Sequence, residues 1–89
     1  MTYSIGIVIK EIRTIKNISI ETLAEKTNIS TASLYSIESQ RRTPNFETIK
    51  NISDALDYPV ALLMMKSLSG DEIAEKYTSI IEALYTAEI

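Results

Sequence analysis

Residues 19–42, SIETLAEKTNISTASLYSIESQRR, decide how the chain folds. Ser19 and Ser30 each stand before a short helix-forming run, and serine is among the best residues for capping a helix start. The helices expected from these caps run from 20 to 26 or 27 and from 31 to 39. Asn28 lies between them and tolerates a positive φ, so the chain can turn sharply there. Leu23 and Ala24 face inward from the first helix, Leu34 and Ile37 from the second, and Ile29 sits inside the turn. Helices of about eight residues are marginal alone, so the pair must pack on the rest of the chain. The second helix then projects, with Thr31, Ala32, Ser33, Tyr35 and Ser36 on its remaining sides. Arg41 and Arg42 follow it directly.

The flanking segments read as support for that pair. Upstream, residues 4–16 form a helix capped by Ser4, with Ile5, Ile9 and Ile12 at the spacing of one buried face. Ile7, Val8 and Ile15 are apolar surface beyond that stripe, and Asn17 ends the helix. Lys10, Arg13 and Lys16 recur every three residues and read as a solvated basic side. Downstream, Asn45 caps a helix over 46–56, whose face is Phe46, Ile49, Ile52, Ala55 and Leu56. Asp57 and Tyr58 break it, and Pro59 suits the first turn of a helix over 59–68. Leu62, Leu63, Met64 and Met65 make that helix apolar on more than one side. Ser69 and Gly70 end it, and Asp71 caps a sixth helix over 71–87. There Ile73, Tyr77, Ile80 and Leu84 recur at four, three and four, too few turns for a free-standing coiled coil. The expected fold is all-α, with a domain over 1–68 and a C-terminal helical segment over 69–89.

Composition narrows the function. At 89 residues and 45% hydrophobic, the chain has room for one small core and is too apolar for a disordered segment. It contains no Cys and no His. Disulfides, His/Cys metal sites and the usual nucleophile–base pairs are therefore excluded, and with no Gly-rich phosphate loop neither an enzyme nor a cofactor is expected. No secretory leader and no membrane span are legible, so a cytoplasmic location is expected. The net charge of −3 is unusual for a nucleic-acid binder, but it is unevenly spread. Residues 1–50 hold seven basic and five acidic side chains, for +2; residues 51–89 hold two and seven, for −5. Nucleic acid, if bound, belongs to the first half.

From about Ile5 to Leu63 the chain resembles the phage-repressor or Cro-like helix-turn-helix family, the XRE group. The resemblance rests on SIETLAEKTNIS across the turn, LYSIE in the projecting helix and RRTPNFETIKNISDALDYPVALL after it. It implies a five-helix, lambda-repressor-like DNA-binding domain, here with one additional C-terminal helix. It also implies a homodimer on a roughly palindromic operator, with the helix over 31–39 in the major groove and two such helices about 34 Å apart. Thr31, Ala32, Ser33 and Ser36 would then meet bases. Ser19, Ile20 (through its backbone N–H), Ser30, Arg41, Arg42 and Asn45 would meet phosphates, joined by Tyr35 if it does not pack against a neighbouring helix. Arg13 leaves the basic stripe in this reading and pairs with Glu38 as a structural ion pair.

Two departures from the family matter. Its members often carry glycine at the ends of the first four helices, where this chain has Asn17, Asn28, Gln40 and Asp57; a left-handed Gln40 would cost on the order of 1 kcal/mol. The projecting helix also lacks the long polar side chains that read G or A bidentately, so modest base discrimination is expected, with shape and phosphate contacts contributing. The apolar surface on 59–68 and 71–87 needs burial, either on the same subunit or between two copies. The expected dimer interface is Leu62, Met64, Met65, Tyr77, Ile80 and Leu84. The functional reading is a sequence-specific transcriptional regulator, most simply a repressor. The competing one is a protein-interaction module on the same fold, an antitoxin or anti-repressor.

Overall fold

Each helix begins where a side-chain oxygen can stand in for water at an unpaired backbone N–H. In the computed structural model, which describes residues 4–69, Ser4 Oγ accepts from Ile7 N at 3.3 Å and starts α1, Ile5–Ile15. Ser19 Oγ accepts from Thr22 N at 3.1 Å and starts α2, Ile20–Thr27. Ser30 Oγ accepts from Ser33 N at 3.1 Å and starts α3, Thr31–Glu38. Asn45 Oδ1 accepts from Thr48 N at 2.8 Å and starts α4, Phe46–Ala55. The fifth helix, α5, spans Val60–Ser69 and follows Pro59, whose carbonyl accepts from Leu63 N at 3.0 Å. Pro59 thus precedes the first helical residue rather than occupying the first turn. No strand occurs among the described residues. The sixth helix expected over 71–87 lies outside them.

The C-terminal ends divide into two kinds. After α1, α3 and α4 the chain closes with a Schellman pair of backbone bonds around a left-handed residue. Ile18 N donates to Arg13 O at 3.0 Å, Arg41 N to Ser36 O at 2.9 Å and Tyr58 N to Ser53 O at 3.0 Å. The left-handed residues are Asn17, Gln40 and Asp57, with φ of 61, 67 and 51°. Gln40 therefore adopts the strained conformation, and the loop after α3 keeps the same closure as the others. The corner between α2 and α3 differs. Asn28 is left-handed at φ 60°, but the next amide, Ile29 N, donates to the Thr27 hydroxyl at 3.3 Å. That hydroxyl itself donates to Leu23 O at 2.8 Å. The Thr27 carbonyl accepts from Asn51 Nδ2 at 2.9 Å, so α4 reaches across to close the corner.

One core joins all five helices. Its buried members include Val8, Ile9 and Ile12 of α1, Leu23 of α2, Leu34 and Ile37 of α3, Ile52 and Leu56 at α4, and Leu63 of α5. Burying each such side chain contributes roughly 1.5–3 kcal/mol. Helix α1 packs on both α3 and α5, and α2 on both α3 and α4. The two directions faced by α1 correct one expectation. Val8 is not surplus surface; it is 1% exposed and belongs to the core. Ile7 is half-buried, and Ile15 is left at 79% exposure. Phe46, assigned by spacing to the buried face of α4, is instead 55% exposed at the helix start. The approach of α1 to α3 depends on Gly6, where a Cβ would fall on the carbonyl oxygen of Ile37. At the far end of α1, Lys16 Nζ donates to Asp57 O at 2.9 Å and lies 5.9 Å from the centre of the Tyr58 ring.

Candidate nucleic-acid interface

Helix α3 turns Leu34, Ile37 and Glu38 inward. The 3.6-residue period then points Ala32, Tyr35, Ser36 and Ser39 outward, with Thr31 and Ser33 on the two flanks. Ala32, Tyr35 and Ser39 are exposed, Tyr35 to 56%, while Thr31, Ser33 and Ser36 are half-buried. Ser39 joins the face through its cap position; its hydroxyl donates to Ser36 O at 3.3 Å. The outward face is therefore small, uncharged side chains around one aromatic ring.

The inward end of α3 is held by Arg13. Its Nε donates to Glu38 Oε2 at 2.7 Å and its Nη2 to Glu38 Oε1 at 3.0 Å, a bidentate pair. Its Nη1 donates to Ile18 O at 2.9 Å, so the same guanidinium ties the α1–α2 turn to α3. The bond to Glu38 raises the Arg13 pKa above its ordinary value, against an opposing effect of burial. Glu38 is only 7% exposed, and a carboxylate there needs this partner. Arg13 is thus engaged inside the fold, with all three of its nitrogens donating to protein oxygens.

Three helix starts, α2, α3 and α4, carry polar caps at Ser19, Ser30 and Asn45. Each cap satisfies an amide in the first turn, and the preceding amides remain available to an anion. The Ile20 side chain is buried, so only its backbone belongs to such a site. Between the starts of α3 and α4 lies a concavity of about 410 Å³ bordered by Asn28, Ser30, Ser33, Arg42, Asn45 and Thr48. Arg42 Nη1 donates to Ser33 Oγ at 3.3 Å, and Ser30 Oγ donates to the same oxygen at 3.0 Å. Ser33 is thereby drawn into the cap of α3 and toward this concavity rather than into the outward face. The amides of both Arg41 and Arg42 converge on Ser36 O, which sets the two side chains at the exit of α3. Both side chains are exposed.

The residues named from sequence therefore fall into groups. Ala32, Tyr35 and Ser36 share the outward face; Thr31 and Ser33 flank it. Ser19, Ser30 and Asn45 are all caps, and Arg41 and Arg42 leave the C-terminal end of α3. Of the side chains assigned to a dimer contact, Met64 and Met65 are half-buried, while Leu62 is fully buried within one chain. Tyr77, Ile80 and Leu84 lie outside the described residues. Sequence reasoning missed Ser39, Thr27 and Asn51. Ser39 is expected as the last residue of the helix, without a role, and nothing local to Asn51 signals a partner in α2, 24 residues away. No group of acidic side chains among the described residues could hold a metal ion, and no described helix is long and apolar enough to cross a membrane.

Residues 9–63 match the family described as helix-turn-helix. No curated protein and no solved structure matches the chain significantly. The matched segment begins inside α1 and ends inside α5, so it contains the α2–α3 corner, the Arg13–Glu38 pair and all three capped starts described above. With well over half its length in that match, and with the outward α3 at its centre, the chain belongs to the XRE-type, Cro-like helix-turn-helix family of DNA-binding regulators.

Proposed function

We propose that the protein is a sequence-specific transcriptional repressor that binds a roughly palindromic operator as a homodimer, with α3 in the major groove. The observation that carries this reading is the outward face of α3. It is uncharged, with Ala32 and Tyr35 exposed, and the start of α4 borders the concavity at its N-terminal end while Arg41 and Arg42 leave its C-terminal end. A helix fits the major groove, and phosphates on either side would meet amide N–H groups and arginines. Thr31, Ala32 and Ser36 are the base-facing candidates of the pair's second helix. Ser19, Ile20 N–H, Ser30, Arg41, Arg42 and Asn45 are the backbone-facing ones, and Tyr35 stands on the outward face beside the base-facing group. Met64 and Met65, together with residues 71–87, are proposed to join the two subunits through a two-fold contact.

The test is a selection from a pool of random duplexes with the purified chain, repeated at two salt concentrations. Enrichment of a two-fold symmetric motif, with affinity that falls steeply as salt rises, supports the reading. Failure to retain any duplex at low salt sinks it. Sedimentation of the chain with and without the enriched duplex reports whether two copies bind.

A second reading, a protein-interaction module such as an antitoxin or anti-repressor, draws on one observation: α3 presents no long side chain to DNA. Co-purification of a stoichiometric partner that competes with the duplex for α3 would favour it.

A further inference from the structure

The outward face of α3 lacks the groups that read donor–acceptor patterns on bases. Bidentate contacts to guanine need Arg or Lys, and those to adenine need Asn or Gln. None of these residues lies in Thr31–Glu38. Two neighbouring arginines are engaged elsewhere, and the exposed Arg41 stands past the C-terminal cap of α3, outside the outward face. Arg13 directs all three of its nitrogens to Glu38 and Ile18 O. Arg42 turns back to Ser33 Oγ, and that oxygen also accepts from Ser30. The Ser39 hydroxyl donates to its own helix. Gln40 lies beyond the cap, in the left-handed position where the chain leaves α3. What remains turned outward is the Ala32 methyl, the Tyr35 ring and the Ser36 hydroxyl, with Thr31 half-buried on one flank.

Resting on the DNA-binding reading above, we infer that α3 recognises thymine chiefly through its C5 methyl group, with Ala32 and Tyr35 as the side chains that pack on it. The C5 methyl projects into the major groove and is the one apolar mark that separates a T·A pair from the others there. An exposed methyl and an exposed aromatic edge lose water against that group, whereas they gain nothing against the N7 and O6 acceptors of guanine. Ser36 contributes a neutral hydroxyl beside them, which several bases can accept. The operator that fits this face has thymine opposite Ala32 in each half-site. The neighbouring positions there tolerate substitution.

Deoxyuridine tests this directly, because it removes the methyl and leaves base pairing and every groove acceptor in place. The best duplex from the selection is remade with deoxyuridine at each thymine in turn and titrated with the unmodified full chain. At one position per half-site, loss of the methyl weakens binding about fourfold, near the transfer free energy of one buried carbon. The same replacement in a non-selected duplex changes affinity less than twofold. In Ala32→Gly, with helix content checked by circular dichroism, the uracil penalty shrinks below twofold; Tyr35→Ser provides a second variant that loses it in part. Selective binding that is indifferent to uracil at every position overturns this inference while leaving the DNA-binding reading intact. An absence of any bound duplex removes that reading instead. A uracil penalty that persists unchanged in both variants overturns the assignment to Ala32 and Tyr35.

Discussion

Helix α3 is fastened differently at its two ends. At the C-terminal end a buried carboxylate is gripped by Arg13, the Ile37 carbonyl rests against Gly6, and Gln40 accepts a left-handed backbone to complete the closure. At the N-terminal end the fastenings are neutral: the Ser30 hydroxyl, the Thr27 hydroxyl and the amide of Asn51. The first end lies against α1 in the core, and the second borders the concavity between the starts of α3 and α4. The contrast teaches where rigidity is concentrated. The ionic and backbone contacts fix the tilt of α3 relative to the rest of the fold, and the neutral ones hold the corner proposed above to meet a phosphate backbone.

Four changes probe that contrast, beginning with the largest. Arg13→Met leaves Glu38 buried without a partner and is expected to cost about 3–5 kcal/mol in denaturant unfolding. Replacing Glu38 by Met as well should recover most of that loss, because two apolar side chains of similar volume remove the stranded charge. A double variant as unstable as the single one would mean that the pair contributes through shape rather than charge. Gly6→Ala forces α1 away from the Ile37 carbonyl and is expected to cost about 2–3 kcal/mol, read as a lowered melting temperature. At the other end, Asn51→Ala strands the Thr27 carbonyl and should cost about 1–2 kcal/mol. If Asn51→Ala matched Arg13→Met in magnitude, the two ends would not differ in kind. The smallest effect is a gain: Gln40→Gly relieves left-handed strain at a site that keeps its closure and should stabilise the fold by about 0.5–1 kcal/mol.

The same contrast explains which features are legible in the sequence. The caps at Ser4, Ser19, Ser30 and Asn45 were legible because a cap is a local event, one side chain and an amide three residues on. The helix ends were legible in the same way through Asn17, Asn28 and Asp57. Gly6 carries a usable signal: a glycine inside a periodic helix asks for a close backbone neighbour. Val8 was misjudged because a single apolar stripe was assumed for α1, which in fact faces α3 on one side and α5 on the other. Phe46 was misjudged because spacing of three continues the periodicity of α4 past the point where the core ends. Asn51 had no signal at all, since its partner is set by the packing of α2 on α4 and not by any neighbour in sequence. The outward face of α3 was named from position, but Ser33 was counted with it because periodicity cannot show that Ser30 and Arg42 claim its hydroxyl.

The corner at Asn28 has a consequence on the clock of amide hydrogen exchange. The amides of Ile18, Arg41 and Tyr58 are each locked by a backbone carbonyl five residues earlier, so they exchange with solvent deuterium only when a whole helix end opens. The Ile29 amide depends on a threonine hydroxyl that a single rotamer change withdraws. It should exchange first among the four, through excursions too small to unfold either helix. Such excursions let α2 and α3 adjust their angle one residue ahead of the Ser30 cap, while the opposite end of α3 stays anchored to α1.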